Sequence, residues 1–343
     1  RRFVTVTGAT TNRNDVQLIC PSADYAPPSS GNGATLIIGS NDDDFRNFTL
    51  DNQVYLANSD ANTLNNYSGA FAGRLLVLIT TSDRLVFDNV CVKGGQDTYY
   101  ASGSGYFRNC EIWGSVDFIY GPAVLVFEQC NIVEIRNTGG PITAPNTAYA
   151  QPCGMNFLNC TFPRALVANG YPYDVGTANT TFQRAWGQDG MTAVINCAVG
   201  NQISTAGWST FGYGGETTCR AREYGTTIIG GGTEPTVTQR QAAGAYWLNT
   251  YDPDYTNPAM SPTDPLLASP TGTNNRVAVV VNPADYTVSS IFGNSYFTSL
   301  AGWTPATIPI IVQSPMDQVV GAGDAASFAV TVSGYPAPTF QWL

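Results

Sequence analysis

The chain has 343 residues, of which 12% are charged, and its 15 basic and 25 acidic side chains give a net charge of −10. It contains no histidine, which excludes Ser-His-Asp and Cys-His nucleophilic machinery and histidine-based metal sites. The acidic balance cannot supply the basic surface that nucleic acid binding requires, so we expect no nucleic acid partner. No uncharged apolar run approaches the roughly 20 residues of a membrane span, so we expect no span either.

A four-residue pattern recurs along the chain, usually with Phe first, Asn or Gln third and a small apolar residue fourth. The copies begin at residues 87, 107, 127, 157 and 194, so the first two intervals are 20 residues long and the later ones 30 and 37. A repeat of this length, built of short β-rich runs between Gly and Asn turns, is typical of a β-solenoid whose loops absorb the longer intervals. The pattern therefore predicts an all-β fold.

Equivalent residues of a solenoid stack along its axis at the interstrand spacing of about 4.8 Å. We therefore predict two interior columns, Phe87, Phe107, Phe127 and Phe157 in one and Val90, Cys110, Cys130, Cys160 and Cys197 in the other. Because an apolar valine shares the second column, we expect free thiols there. The pattern leaves open the pairing of Cys20, Cys91, Cys153 and Cys219. Asn159, which begins an N-x-[ST] sequon, is expected in the interior between the columns.

The composition changes after about residue 305. Residues 308–315, the alternating run 325–332 and Trp342 resemble the opening strands of bacterial immunoglobulin-like modules, in which a tryptophan packs into the sandwich. The alternative is a C-terminal tail that packs on the solenoid. We therefore predict a solenoid domain over residues 1–307 and the start of an incomplete module over 308–343. Since the chain opens without an initiator methionine or signal peptide, we expect that its start was removed or is the edge of a fragment.

Two aspartates are the strongest candidates for catalysis. Asp97 and Asp117 are 20 residues apart, which is one full coil, so their backbones are expected about 5 Å apart. Two carboxylates at that distance cannot ionise independently: one gains a raised pKa and donates a proton, while the other stays ionised and attacks. Gln96 supplies amide donors of the kind that stabilise an oxyanion. The ordinary alternative is that both aspartates cap turns of the solenoid.

A second candidate group lies further along the chain, at Arg184 and Trp186. An arginine can hold a carboxylate ionised and oriented through two parallel hydrogen bonds. A tryptophan offers a flat face on which a sugar ring can lie. The alternatives are a surface ion pair for Arg184 and ordinary core packing for Trp186.

These residues resemble, in order and approximate spacing, the motifs of the pectin methylesterases. The resemblance runs over about residues 35–305 and includes Gln96-Asp97-Thr98, the run GSVDFIYG at 114–121 and the 184/186 pair. It implies a right-handed parallel β-helix that hydrolyses the methyl esters of homogalacturonan, the main chain of pectin, to pectate and methanol. It makes Asp117 the nucleophile, Asp97 the general acid and then base, and Gln96 part of the oxyanion hole.

The same resemblance assigns the remaining site residues. Arg184 would orient the nucleophile, and four aromatic side chains would line the galacturonate cleft, namely Tyr100, Tyr120, Trp186 and Trp208. The chain departs from the family at three points. The usual N-terminal opening helix and first coil are not evident, so we expect a truncated or divergent member, and the usual GRPW run is QRAW at 183–186. Arg74 stands where a second oxyanion-hole glutamine is usual. A guanidinium there can bind the oxyanion more strongly than an amide, or it can pair with an aspartate and lower the pKa of the acid below use.

Three other functions stay open. A non-catalytic β-helix that binds pectin or the cell wall would keep the aromatic cleft while Arg74 disables catalysis. A glycoside hydrolase would use the same aspartate pair, because carboxylates about 5 Å apart suit retaining glycosidases. A pectate-lyase-like enzyme would need Ca²⁺, for which Asp42, Asp43 and Asp44 are a candidate ligand run and a solvated loop is the alternative.

The motifs favour the esterase over these alternatives. We expect it to act without a cofactor or metal, because the expected acid and nucleophile are both carboxyl groups. Its expected partner is methyl-esterified homogalacturonan, and its expected state is a monomer. The low charge density, the single lysine and the appended module fit a secreted, extracellular enzyme.

Overall fold

The structure is a computed structural model in which short strands dominate and helix is confined to brief turns. It describes residues 4–20, 34–53, 76–148, 150–187, 189–209, 220–231 and 283–305, and the short segments 248–249, 277–278, 310–313, 318–321, 323 and 325–333. Most of the predicted solenoid therefore lies within the described residues.

The described residues form 26 strands. In chain order these are β1 (Thr5–Thr7), β2 (Gln17–Ile19), β3 (Leu36–Ile38), β4 (Asp44–Arg46), β5 (Thr49–Asp51), β6 (Leu78–Thr80), β7 (Leu85–Asp88), β8 (Cys91–Lys93), β9 (Tyr99–Ala101), β10 (Ser104–Arg108), β11 (Glu111–Gly114), β12 (Ile119–Gly121), β13 (Val124–Glu128), β14 (Asn131–Glu134), β15 (Pro141–Pro145), β16 (Met155–Leu158), β17 (Thr161–Phe162), β18 (Thr181–Gln183), β19 (Met191–Ile195), β20 (Ala198–Val199), β21 (Arg220–Tyr224), β22 (Thr227–Ile228), β23 (Leu248–Asn249), β24 (Val277–Ala278), β25 (Ile310–Gln313) and β26 (Thr331–Ser333).

Three parallel sheets hold all but the last two strands. Sheet A runs β1-β4-β7-β10-β13-β16-β19-β21-β24-β23, sheet B runs β2-β5-β8-β11-β14-β17-β20-β22, and sheet C runs β3-β6-β9-β12-β15-β18. From β1 to β18 the chain visits sheets A, B and C in turn, so each circuit of three strands adds one coil to the stack. The molecule is therefore a parallel β-helix, as the 20-residue repeat predicts.

The corner from sheet A to sheet B has the same form on seven successive coils, from β4–β5 to β21–β22. Each time exactly two residues separate the strands, and the first of them has a positive φ. These first residues are Asn47, Asn89, Asn109, Gln129, Asn159, Asn196 and Gly225. Asparagine and glycine tolerate this left-handed conformation better than other residues, which explains the Asn of the sequence pattern.

The corner conformation turns the first corner residue away from the interior. Asn159 is exposed, so the expectation that it lies between the interior columns is wrong. In the same row, Nδ2 of Asn89 donates to Oδ1 of Asn47 across one coil, at 2.8 Å. The row of amides therefore lies on the outside of the corner, and the sequon at Asn159 is open to solvent.

The predicted aromatic column is present and extends one coil further, to Phe45. The rings of Phe45, Phe87, Phe107, Phe127 and Phe157 stack with centroid separations of 5.0, 4.3, 4.8 and 4.9 Å and interplanar angles of 5° to 26°. Parallel in-register strands impose this geometry, because equivalent side chains must lie one interstrand spacing apart. The column forms the spine of the interior cluster.

The second predicted column is also present, and it is filled by the second residue of each corner. From the first coil to the last its members are Phe48, Val90, Cys110, Cys130, Cys160, Cys197 and Thr226, all buried. Each of the four cysteines contacts the carbonyl oxygen of the stacked phenylalanine on the preceding coil, at 3.2 to 3.5 Å. These thiols are free, as predicted, and so are Cys20, Cys91 and Cys153; Cys219 lies outside the described residues.

A short helical segment covers the outer face of sheet A. It consists of a 3-10 turn at Pro283–Asp285, the helix α1 at Val288–Phe292 and a 3-10 turn at Thr298–Leu300, while a further 3-10 turn, Val167–Asn169, lies in the loop after β17. The side chain of Thr287 caps α1 by accepting from the backbone N–H of Ser290 at 3.0 Å. No helix of the described residues is long and apolar enough to cross a membrane.

The C-terminal residues pair differently from the solenoid. Strands β25 and β26 form an antiparallel pair, and residues 325–330, which the alternation predicts as strand, are not strand in the structure. Trp342 lies outside the described residues. The start of an immunoglobulin-like module therefore stays a prediction, and so does the domain boundary at residue 307.

The aromatic column predicts a large penalty for removing one ring. We expect Phe107→Ala to lower the free energy of unfolding by about 3–5 kcal/mol, because it leaves a cavity between two stacked rings in the core. Urea denaturation of the two proteins measures the difference. The matched control is Phe328→Ala, since Phe328 is exposed and its removal should change stability by about 0.5 kcal/mol or less. Equal effects of the two substitutions would contradict the stacked column.

Candidate active site

The two candidate aspartates lie in equivalent turns of adjacent coils, between sheets B and C. Tyr99 pairs in register with Ile119, so the residues two positions earlier, Asp97 and Asp117, occupy the same row. The N–H of Asp97 donates to the carbonyl of Val116 at 3.0 Å, which ties the two turns together. Both aspartates are largely buried, with exposed fractions of 8% and 6%. The predicted juxtaposition of the pair is therefore present.

Local backbone conformation aims both side chains in the same direction. Asp97 and Asp117 have positive φ values of 57° and 51°, a left-handed conformation that aspartate tolerates better than most residues. The turn before Asp117 needs glycine, since a Cβ on Gly114 would lie 2.1 Å from Cβ of Phe118. On the other turn, the hydroxyl of Thr98 donates to the carbonyl of Gly95 at 2.8 Å and fixes its shape.

Arg184 binds the second aspartate through both nitrogens of its fork. Nε donates to Oδ1 of Asp117 at 3.2 Å, and Nη2 donates to Oδ2. Arg184 follows β18, and its N–H donates to the carbonyl of Thr143 at 2.9 Å. On the intervening coil, the residue in the row of Arg184 is Ala144. Its small side chain leaves space for the guanidinium to extend to Asp117. The bidentate pair favours the ionised form of Asp117.

Three of the four predicted aromatic residues lie together beside this pair. The ring of Tyr120 is 5.2 Å from that of Tyr100 and 6.2 Å from that of Trp186, centroid to centroid. Tyr100 and Tyr120 belong to the outer face of sheet C, and Trp186 is exposed over 43% of its surface. They form a continuous aromatic row along the helix axis.

Trp208, the fourth predicted aromatic residue, is a correction. It is only 3% exposed, its ring packs 5.2 Å from Phe182, and its Nε1 donates to Oε2 of Glu223 at 3.2 Å. The structure therefore places Trp208 in the core and does not bring it to the aromatic row. Sequence order alone could not separate the two residues. Trp186 follows β18 of sheet C, whereas Trp208 lies between β20 of sheet B and β21 of sheet A.

The other predicted polar residues are placed as follows. Gln96 is half-buried and directly precedes Asp97 in the turn. Arg74 lies outside the described residues. In the acidic run, the carboxylate of Asp42 pairs with Arg84, with oxygen–nitrogen distances of 2.5 and 2.9 Å. Its neighbours bind elsewhere: Asp43 accepts from the backbone and side chain of nearby residues, and Asp44 pairs with Arg46. The run is therefore divided among separate structural contacts.

One supporting residue escaped the sequence analysis. Arg220 is buried at the start of β21 and donates to the carbonyls of Gln151, Ala148 and Asp189 at 2.5, 3.1 and 2.9 Å. Ala148 and Gln151 lie in the loop between β15 and β16, and Asp189 lies in the loop between β18 and β19, which also carries Trp186. A charged residue at the start of a strand has no distinctive sequence signal, so only the fold identifies this clamp.

The arrangement can perform two-carboxylate chemistry. A carboxyl group that binds a guanidinium lies next to a second carboxyl group on the adjacent coil, an arrangement in which one group can attack while the other transfers a proton. Among the described residues, no group of three or more His, Cys, Asp or Glu side chains is arranged to hold a metal ion. The aromatic row gives the site a surface suited to sugar rings.

Comparison with solved structures identifies the fold. A pectin methylesterase from carrot matches with a TM-score of 0.58 and 21% identity, over 85% of this chain and 79% of the other. A pectin methylesterase in complex with a hexasaccharide matches with a TM-score of 0.56 and 19% identity, over 89% and 84% of the two chains. These likenesses confirm the predicted right-handed parallel β-helix.

Sequence comparison extends the likeness beyond fold. Pectinesterase QRT1 of Arabidopsis thaliana is 31% identical over 171 residues, which are 47% of this chain and 42% of the relative, so the chain spans less than half of that protein's length. The family model described as Pectinesterase matches residues 29–243, more than half of the chain. The matched residues include both candidate aspartates and Arg184. The chain belongs to the pectinesterase family.

Proposed function

We propose that the chain hydrolyses the methyl esters of galacturonate units in pectin, giving pectate and methanol. The observation that carries the proposal is the stacking of Asp97 on Asp117 in adjacent coils, with the guanidinium of Arg184 on Asp117. Membership of the pectinesterase family and the likeness to a pectin methylesterase that holds a hexasaccharide support the same activity.

In the first half of the reaction, a carboxylate oxygen of Asp117 attacks the carbonyl carbon of the methyl ester. The electron pair of the carbonyl moves to its oxygen, and amide donors of Gln96 would stabilise this oxyanion. When the tetrahedral intermediate collapses, the bond to the methoxy oxygen breaks, and Asp97 donates the proton that releases methanol. The product on the enzyme is an anhydride between Asp117 and galacturonate.

In the second half, water cleaves the anhydride. Asp97, now ionised, takes a proton from water, and the resulting hydroxide attacks the galacturonate carbonyl. Asp117 departs as a carboxylate, which the bidentate contact with Arg184 stabilises. Asp97 is again protonated, so the two carboxyl groups return to their starting states and no cofactor is consumed.

The aromatic row provides the surface on which neighbouring sugar units would lie. Trp186 is exposed, and its ring continues the row formed by Tyr100 and Tyr120. Apolar faces of pyranose rings pack well on such side chains. We therefore assign methyl-esterified homogalacturonan as the polymeric partner, with these three residues as its contacts.

The remaining proposals concern context. We propose a secreted enzyme that acts as a monomer on extracellular pectin, with an immunoglobulin-like module beginning after residue 307. Family membership supports the first of these proposals.

The central prediction concerns the two aspartates. Asp117→Asn should lower the rate of methanol release from highly methylated pectin by at least about 10³-fold, because an amide cannot act as the nucleophile. Asp97→Asn should cause a similar loss by removing the transferable proton. The matched control is Asp15→Asn, since Asp15 is an exposed aspartate of the loop before β2 and should leave the rate unchanged.

Product analysis separates the esterase from its alternatives. New reducing ends without methanol would identify a glycoside hydrolase that uses the same pair. Pectin binding without either product would identify a non-catalytic β-helix. Full activity in Asp117→Asn would overturn the assignment of the nucleophile.

The departure at Arg74 gives a second prediction. If Arg74 serves as the oxyanion donor, Arg74→Ala should lower kcat by about 10²-fold, whereas Arg74→Gln, which restores the usual amide, should retain most of the activity. Methanol release by the three proteins measures this. A silent wild type that becomes active on Arg74→Gln would instead mean a degenerate site and would favour the binding function.

The two tryptophans should behave in opposite ways. Trp208→Ala should lower the free energy of unfolding by about 3–5 kcal/mol, because it empties part of the core. Trp186→Ala should change stability by about 1 kcal/mol or less and raise KM for pectin roughly 5–10-fold through the lost stacking surface. Urea denaturation and initial rates give both numbers, and an unchanged KM in Trp186→Ala would remove this residue from the cleft.

A further inference from the structure

A third carboxyl group lies under the turn that carries Asp117. Glu134 ends β14 and pairs in register with Gly114, the residue that opens this turn. Alternation along β14 places it on the same side as Ile132, which belongs to the interior cluster. Glu134 is only 1% exposed. A carboxyl group in such a position is unusual, because strands of a solenoid normally turn apolar residues inward.

The two oxygens of Glu134 have different surroundings. Oε1 accepts from the backbone N–H of Arg136 at 2.7 Å. Oε2 is buried and has no hydrogen-bond partner among the described residues, and the same is true of the hydroxyl of Ser115. Both groups therefore lie in a part of the interior whose polar atoms are incompletely satisfied, directly behind the proposed nucleophile.

Gly140 lies between Glu134 and the turn that leads to Asp117, and it has no room for a side chain. A methyl group built on Gly140 would lie 2.4 Å from the carbonyl oxygen of Ser115, 2.9 Å from Cγ2 of Val116 and 3.5 Å from Oε2 of Glu134. The next residue, Pro141, accepts the N–H of Asp117 at 2.7 Å. Glu134 thus lies between two segments. One is the loop of Gly140 and Pro141, which accepts the N–H of Asp117, and the other is the turn of Ser115 and Val116, which directly precedes Asp117.

The charged groups that act on Glu134 come from two sides. Arg136 belongs to the loop that follows the same strand, and Asp117 belongs to the preceding coil. On the following coil, Arg164 lies three residues after Thr161, the register partner of Asn131, and so shares the row of Glu134; its Nε donates to the carbonyl of Val175 at 2.5 Å. Burial raises the pKa of Glu134 well above its ordinary value, the N–H and charge of Arg136 and the N–H of Ile135 lower it, and the charge of Asp117 raises it. Burial therefore favours the neutral form of Glu134.

We propose that Glu134 is a positioning residue for Asp117, holding the nucleophile's turn in place when neutral and displacing it when ionised. The inference rests on the proposed role of Asp117. A carboxylate formed at this depth is poorly solvated, and it repels Asp117 across one coil. Water entry relieves both effects only if the turn opens, which moves Asp117 away from Arg184. Activity is then lost on the alkaline side.

The test is the pH profile of kcat/KM for methanol release from highly methylated pectin. Glu134→Gln keeps the shape of the side chain but cannot ionise, so we expect its alkaline limb to move up by about one pH unit or more, with the acid limb unchanged. The matched control is Glu128→Gln on sheet A of the same coil, where the carboxylate accepts from the hydroxyl of Tyr106. This control should keep the wild-type profile.

An alkaline limb that stays in place in Glu134→Gln would overturn the inference, since the limb would then belong to another group such as Asp97. A second measurement does not depend on activity. Because the folded state holds the Glu134 proton more tightly than the unfolded chain, a rise in pH above about 4.5 favours unfolding until the folded pKa is passed. The Tm of Glu134→Gln should therefore exceed that of the wild type by a margin that grows with pH, and a constant margin would also count against the proposal.

The experiments distinguish failure of the proposed esterase function from failure of the proposed role of Glu134. A wild type that releases no methanol, or an active Asp117→Asn, overturns the proposed function whatever Glu134 does. An active wild type that is silenced by Asp117→Asn, combined with wild-type pH profiles and parallel Tm curves in Glu134→Gln, overturns only the role of Glu134.

Discussion

Register between successive coils is the constraint on which the rest of the structure depends. Every strand of sheets A, B and C pairs in parallel with its equivalent one coil away, so a side chain that faces inward must fit directly on its counterpart. The stacked rings from Phe45 to Phe157 satisfy this rule by repeating one shape. A slip of one residue would turn each of these rings to the outside, so the register is strongly specified.

The same constraint builds the candidate site. Asp97 and Asp117 are close because they occupy one row on adjacent coils, and no loop closure is needed to bring them together. Arg184 reaches Asp117 from two coils further along, and its own row holds the small Ala144 on the intervening coil. The site is therefore carried by backbone that is hydrogen-bonded on both sides, which gives the preorganisation that electrostatic catalysis requires.

Much of this could be predicted from the sequence, because a spacing of 20 residues converts directly into contact between coils. The aromatic and cysteine columns and the aspartate pair all follow from it. The errors arose where local backbone conformation decides whether a side chain faces the interior or the solvent. The positive φ of Asn159 turns its side chain outward. Trp208 is buried, although Trp186, the tryptophan before it in the sequence, is exposed. The sequence does distinguish Glu134, because it is an acidic residue at an inward position of an apolar strand. No sequence feature distinguishes Arg220 in this way.

The two-residue corner between sheets A and B has a consequence for how such a chain can diversify. Its length is constant over seven coils, while the connections on either side of sheet C vary from a few residues to more than fifteen. Insertions at any of these seven corners would break both the left-handed row and the interior column beneath it. The aspartates and the aromatic row lie where connection length does vary. Changes in the length of those connections would therefore alter the surface around the aspartates without disturbing the stacking of the coils.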